Sequence, residues 1–273
     1  MNDLILVSLS TFAAVDRTPL SMLEQSGYAF EIHRSGKRIT REELIRAAPE
    51  ATVIVAGVEP YDGEIQIQLP KLRCISRCGV GIDSIDLDTA KGRGIVVMNT
   101  PDIPTQAVAE LAIAMFLSLS RNLRAQANLM GERQWQRLSA HLLSERIIGL
   151  LGLGRIGRRV AELCRAFDAQ VIAHDPQGDA QAAESLGVKL VSKKELLAQS
   201  DIVSLHASSG GPESVLIGAP ELAAMKPGAL LVNLARGGMV DETALVSALE
   251  TGQLSGAGLD VFGEEPYTGK LCE

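Results

Sequence analysis

Aromatic side chains make up only 3% of the 273 residues, and 26 Lys and Arg against 33 Asp and Glu leave a formal charge of −7. Binding of single-stranded nucleic acid needs stacking platforms in a basic groove, so no nucleic-acid partner is expected. No apolar run reaches the roughly 18 residues of a membrane helix, so no membrane partner is expected either. The apolar run at residues 4–7 is too short for a signal-peptide core and no basic residue precedes it, which predicts a cytoplasmic protein. Cysteine is scarce. Cys74, Cys78, Cys164 and Cys272 include no CxxC, and no histidine is spaced to complete a zinc site, so no metal is expected. Cys74 and Cys78, in the apolar context of residues 71–80, read as buried reduced thiols, and the lone Trp135 and the methionines read as packing.

Short apolar runs alternate with helical patterns, which predicts α/β architecture with parallel sheets covered on both faces. Two series are visible. The first has strands expected over 4–7, 29–32, 52–56, 74–76 and 96–99. The second has them over 147–151, 170–173, 189–191, 202–205, 229–233 and 256–260. Thr40-Arg41-Glu42-Glu43 and Ser192-Lys193-Lys194-Glu195 spell capping boxes, and Pro220 suits a helix start. Residues 107–119 are nearly all apolar, which predicts a helix buried on every side. Pro101 and Pro104 interrupt the pattern before it and Thr105 can cap it, so the boundary is placed near residues 99–105 and the domains at 1–100 and 101–273.

Six strands with intervening helices fit a Rossmann-type doubly wound sheet for the second series. Gly152-x-Gly154-x-x-Gly157 matches the dinucleotide fingerprint, although a random chain with 26 glycines would show that spacing about 0.2 times. Its context strengthens it, because an apolar strand precedes the glycines and Ile156, Val160, Leu163 and Phe167 follow at helical spacing. Gly152 would allow the tight turn, Gly154 would let backbone approach a pyrophosphate, and Gly157 would let helix pack on strand. Arg155 and Ile156 would offer helix N-terminal amides. Asp175, 18 residues past Gly157, can accept from ribose hydroxyls and would repel a 2′-phosphate, which favours NAD over NADP. The rival reading is a packing turn with Asp175 capping the next helix.

Arg236 follows the fifth strand of the second series, at the carboxyl edge where ligands bind, and its guanidinium can grip a carboxylate. Asp260, Glu264 and Glu265 follow the sixth strand at the same edge. Pairing of Arg236 with a surface acid is the alternative. His33, His141, His174 and His206 are the only imidazoles. His174 can flank adenosine and His206 can face the nicotinamide side, and for each a structural role is the competing reading.

Five ordered motifs resemble the D-isomer-specific 2-hydroxyacid dehydrogenases, in particular the phosphoglycerate dehydrogenase-like branch. They are Ser76-Arg77-Cys78-Gly79-Val80-Gly81-Ile82-Asp83, Asn99-Thr100-Pro101 with Val108-Ala109-Glu110, the glycine loop, Asn233 through Asp241, and Leu259-Asp260-Val261-Phe262 with Glu265-Pro266. The resemblance implies an NAD domain for the second series, a flavodoxin-like substrate domain for the first, and a homodimer formed partly through the apolar helix. It also implies that Arg236 binds the substrate carboxylate and polarises the C2 oxygen, with amides around Val80 and Gly81 completing the cradle. Asp260 would orient the nicotinamide carboxamide, Leu234 and Ala235 would line its pocket, and Glu265 would hydrogen-bond a catalytic histidine. None of the four histidines lies in the Thr-Pro-His-type segment that carries that group, and the sequence stops seven residues after Pro266. The expectation is therefore an NAD-dependent hydride transfer to a small 2-keto acid, or from a 2-hydroxy acid, with turnover impaired in this chain. Removing a general acid/base costs about 10²–10⁴ in rate. The alternative is an NAD(H)-binding pseudoenzyme or sensing module.

The loop at residues 57–64 holds Glu59, Asp62 and Glu64 and no Lys or Arg. That argues against a phosphorylated substrate, with Arg34, Lys37 and Arg38 able to reverse the argument if the fold brings them near.

Overall fold

The computed structural model describes residues 3–207 and 215–272. The chain divides after Pro104 into two compact units. In the first, strands β1 (Leu4–Val7), β2 (Ala29–Ile32), β3 (Val53–Ala56), β4 (Cys74–Arg77) and β5 (Val96–Asn99) form one parallel sheet in the order β2-β1-β3-β4-β5. Helices α1 (Thr18–Ser26), α2 (Arg41–Ala47), α3 (Gly63–Gln68) and α4 (Leu87–Arg93) make the crossovers. The order is that of flavodoxin-like sheets, with its switch point between β1 and β3. Leu44, Ile54, Tyr61, Ile65, Leu69 and Ile75 are fully buried in its core. The Thr40 capping box forms as spelled: its side chain takes the Glu43 amide while the Glu43 carboxylate takes the Thr40 amide.

The second unit, from Thr105 on, opens within α5 (Pro104–Ser120), which α6 (Leu123–Gly131) follows. Its parallel sheet comprises β6 (Ile147–Leu151), β7 (Gln170–His174), β8 (Lys189–Leu190), β9 (Ile202–Leu205), β10 (Ala229–Asn233) and β11 (Leu254–Leu259). Helices α7 (Arg155–Arg165), α8 (Ala180–Ser185), α9 (Lys193–Gln199), α10 (Ala219–Ala224) and α11 (Glu242–Glu250) cover it. The strand order, β11-β10-β9-β6-β7-β8, is the doubly wound arrangement that reverses between β6 and β9. Strands β9 and β10 are buried at every position because helices cover both faces, which is why they read as continuous apolar runs. Two apolar layers result, one with Phe116, Ile148 and Val160 and the other with Leu196, Leu231 and Leu245. The Ser192 capping box and Pro220 open α9 and α10 as the sequence suggests.

Several expectations fail. Within this chain α5 is buried only along Ala109, Ala112, Phe116 and Ser120, one stripe at helical spacing, so an all-apolar sequence did not mean burial on every side. It begins at Pro104, which places Thr105 inside the helix with a buried, unpartnered hydroxyl instead of at its cap. Trp135 is 87% exposed, and Met22, Met98 and Met130 are also open to solvent. Of the thiols, Cys164 is buried but Cys78 is exposed, because it lies in the loop after β4. Helix α7 ends at Arg165, which leaves Phe167 beyond it and partly exposed. No helix among the described residues is long and apolar enough to cross a membrane.

Candidate functional site

The first site lies at the carboxyl end of β6, beside the switch point. Gly152 has φ +101°, and a Cβ there would stand 2.6 Å from the Ala207 amide nitrogen. At Gly157 a Cβ would meet the Gly152 carbonyl oxygen at 2.2 Å, so glycine is what allows α7 to press onto the loop. A Cβ at the exposed Gly154 would meet nothing within 4 Å. That open space lies directly before the first turn of α7, whose amides have no intrahelical acceptor. Anions are stabilised at such a helix end. Asp175, just past β7, takes the Leu153 amide on one carboxylate oxygen at 2.8 Å and the Gln177 amide on the other at 2.9 Å. It does not cap α8, a task performed by Asp179. Each Asp175 oxygen keeps acceptor capacity, which suits ribose hydroxyls. The loop and acid fit a dinucleotide: space at Gly154, donors at Arg155, Ile156 and Gly157, and an acceptor at Asp175.

A second cluster forms where the loops after β10 and β11 meet. The side chain of buried Asn233 accepts from the Ala235 amide at 3.0 Å and donates to the Arg236 carbonyl at 2.9 Å, which shapes the turn. Gly237 is pressed so close to the next loop that a Cβ would fall 1.9 Å from the Phe262 carbonyl carbon. This contact keeps the Arg236 turn against the segment carrying Asp260 and Glu265. Arg236 is exposed and donates to the Ala235 carbonyl at 2.7 Å. Glu265 takes the Phe262 amide at 3.1 Å, and Glu242 takes the Gly263 amide at 2.7 Å. Partial loss of water and then the Glu265 charge raise the Asp260 carboxyl above its ordinary range. The Phe262 and Tyr267 rings stack with centroids 4.5 Å apart. Leu234 and Ala235 are buried, packed into opposite layers beneath the turn.

Sequence reading had no role for Asn233 or Gly237 beyond motif membership. An asparagine ending a strand before a glycine pair was the available signal, since its amide can replace backbone partners in a turn. Three histidines have local partners. His174 Nδ1 meets the Val191 carbonyl at 3.1 Å, His33 Nε2 meets Ser35 Oγ at 2.6 Å, and His206 Nε2 meets Ser204 Oγ at 2.9 Å. Burial pushes His206 down to about 4, so it is neutral at pH 7 and its backbone serves as a wall behind Gly152.

In the first unit the loop after β4 carries Val80 and Gly81. The Cys78 amide continues the β3–β4 pairing to the Ala56 carbonyl at 2.9 Å. The Gly79 amide donates to Thr100 Oγ1 at 2.8 Å, and Asn99 Nδ2 donates to the Val80 carbonyl at 2.8 Å. Residues 99 and 100 thus fix the loop, with the Val80 side chain exposed.

Residues 113–273 match the profile of the D-isomer specific 2-hydroxyacid dehydrogenase, NAD binding domain. The chain belongs to the D-isomer specific 2-hydroxyacid dehydrogenase family. It is 40% identical to the D-3-phosphoglycerate dehydrogenase of Mycobacterium tuberculosis over 231 residues, which is 84% of this chain and 44% of that protein. The chain thus spans about half the length of the phosphoglycerate dehydrogenases it matches. The glyoxylate reductase of Thermococcus litoralis is 34% identical over 258 residues, 91% of this chain and 78% of that protein. The D-lactate dehydrogenase of Aquifex aeolicus, solved with NAD and lactic acid, superposes with a TM-score of 0.84 at 30% identity, over 96% of this chain and 78% of that one. The second unit is therefore this family's NAD-binding domain.

Proposed function

We propose that the protein is an NAD-dependent oxidoreductase of the D-2-hydroxyacid dehydrogenase type, interconverting a small 2-hydroxy acid and its 2-keto acid. The observation that carries this reading is the glycine loop, open at Gly154, running into the amino end of α7 with Asp175 beside it. Gly152, Gly154, Arg155, Ile156, Gly157 and Asp175 hold the adenosine diphosphate half of the dinucleotide, and Leu234, Ala235 and Asp260 serve the nicotinamide half. NADH, when bound, supplies the hydride. Arg236 holds the substrate carboxylate, and its charge draws electron density toward the C2 oxygen as hydride arrives; in the first unit the amides of Val80 and Gly81 offer donors of the kind a carboxylate takes. Glu265 is the acid that would hold an imidazolium near that oxygen.

A homodimer in the cytoplasm belongs to the same proposal. Its support is the apolar side chains left open on and after α6, where Leu123, Met130 and Trp135 are all more than half exposed. A second reading, an NAD(H)-binding module without turnover, is favoured by the commitments of His33, His174 and His206 to partners other than Glu265. One experiment separates the two. NADH is titrated by fluorescence, and its oxidation is then followed with glyoxylate, pyruvate and hydroxypyruvate. Binding with turnover supports the dehydrogenase, binding without turnover supports the module, and no binding defeats both.

A further inference from the structure

The amino edge of the second sheet borders a cavity that the proposed chemistry does not use. Arg146 stands directly before β6, Pro227 and Gly228 before β10, and Ser255 near the start of β11, so these lining residues lie at the end of the sheet remote from the glycine loop. Strands rise about 3.3 Å per residue, which puts Arg146 roughly 15–20 Å from Gly152 along β6. The cavity holds about 780 Å³ and lies wholly within the second unit. Small-molecule sites are of this size, roughly 300–1,000 Å³. Its other wall is built by the turn after α5. Asn122 adopts a left-handed conformation, φ +52°, which asparagine tolerates, and so redirects the chain into α6. Its side chain donates to the Ser139 carbonyl at 2.6 Å, and the His141 amide donates to the Ser120 carbonyl at 3.0 Å. Both bonds tie residues 139–141 back to the end of α5.

The lining selects its ligand by charge, by unmet polar groups and by apolar surface. Among the described residues no Asp or Glu lines the cavity, whereas Arg124, His141 and Arg146 do, in a chain whose formal charge is −7. Asp201 stands 4.0 Å from the Arg146 guanidinium, beyond hydrogen-bond reach, and its oxygens take the Ile147 amide at 2.7 Å and the Lys226 ammonium at 3.0 Å. Arg146, Lys226 and Asp201 together therefore leave one positive charge in excess. The Ser120 hydroxyl, in a residue only 3% exposed, and the buried Arg146 Nε have no partner among the described residues. Buried polar groups left unmet are costly, and both residues line this cavity. Met115 and Leu119 of α5 and Leu230 of β10 supply an apolar surface beside them. We propose that the cavity is a binding site for an amphipathic organic anion, its carboxylate or phosphate head at Arg146, Arg124 and Ser120 and its apolar body against Met115 and Leu119. Arg124, Ala125 and Asn128 line it from one side of α6, while Leu123 and Met130 project from the other, so this site and the proposed dimer contact use different faces of that helix.

The test is calorimetric titration of the full chain with octanoate and octyl phosphate. Octylammonium and 1-octanol carry the same tail without the negative charge, and inorganic phosphate carries the charge without the tail. Octanoate or octyl phosphate should bind about tenfold or more tightly than these three, the tighter of the two identifying carboxylate or phosphate as the preferred head. Ser120→Ala removes a hydroxyl without a partner, so it should unfold in urea as the parent does and yet weaken the preferred anion by about fivefold. Arg124→Ala and Arg146→Gln should each weaken it by about tenfold and leave NADH binding unchanged, because the glycine loop lies at the other edge of the sheet. Arg165→Ala, which removes the same charge from the last turn of α7, should leave it intact. Equal affinity for all the octyl compounds, binding that survives the three cavity substitutions, or an equal loss in Arg165→Ala overturns the inference. Absence of any binding overturns it too, and a change in sedimentation of Arg124→Ala would then identify a second copy of the chain as what covers the cavity.

Discussion

The three glycines of the nucleotide loop are predicted to fail in different ways when a methyl group is added. At Gly157 the new Cβ would lie 2.2 Å from the Gly152 carbonyl oxygen, a backbone atom that cannot swing aside. Overpacking of this kind costs about 1–3 kcal/mol, and the better helix propensity of alanine returns at most about 1 kcal/mol. A net loss of about 1–2 kcal/mol is expected, which lowers Tm by about 2–8 °C for a unit of this size. At Gly154 the Cβ would meet nothing within 4 Å, and its φ of −73° is open to alanine. Gly154→Ala should therefore change stability by no more than about 0.5 kcal/mol. It should nevertheless weaken NADH by about tenfold or more, about 1.4 kcal/mol, because the methyl group occupies the space a pyrophosphate must enter. Urea unfolding gives the first quantity and NADH fluorescence titration the second. If Gly154→Ala binds NADH as well as the parent, the pyrophosphate does not rest at the amino end of α7. If both variants lose stability equally, the assignment of separate packing and ligand roles is wrong.

Other consequences follow from the same geometry. His206 is held near 4 in the folded chain against an ordinary 6.5, so the unfolded chain binds the extra proton. Stability should fall as pH drops from about 6.5 to about 4, by at most about 3 kcal/mol from this group, and His206→Gln should flatten that part of a urea-unfolding profile. Asp175→Asn removes the charge beside the ribose site while leaving an acceptor for the Leu153 amide, so the affinity ratio of NADPH to NADH should rise. An unchanged ratio in paired titrations would place the 2′-position elsewhere. Gly237→Ala would put a Cβ 1.9 Å from the Phe262 carbonyl carbon, and a loss of more than about 3 kcal/mol in urea unfolding is expected, with proteolysis concentrated after β11.

The nucleotide site was legible because its constraints are local. A buried strand, a glycine turn and an amphipathic helix are consecutive in the chain, and Asp175 follows the very next strand. The capping boxes at Thr40 and Ser192 were legible for the same reason, each being closed within four residues. What failed depended on partners distant in sequence. The apolar stretch after Pro104 specified a helix but not how many of its sides this chain would cover. Trp135 and Cys78 carried residue types that are often buried, yet they fell in segments that the described residues leave exposed. The charge of the loop after β3 could not be counted from its own residues, because Arg41 neutralises two of its acids and the fold buries the third.

The sequence by itself determined two parallel α/β units, most of the strand segments, the helix starts marked by Thr40, Ser192 and Pro220, and the dinucleotide loop, since each follows from periodicity or from bonds between residues a few positions apart. Tertiary structure alone decided that Asn233 and Gly237 lock the Arg236 turn against the loop after β11. It also decided that Arg38 reaches across β1 to Val58. Those contacts join chain segments about 20 or more residues apart, and only the order in which strands pair brings them within reach of one another.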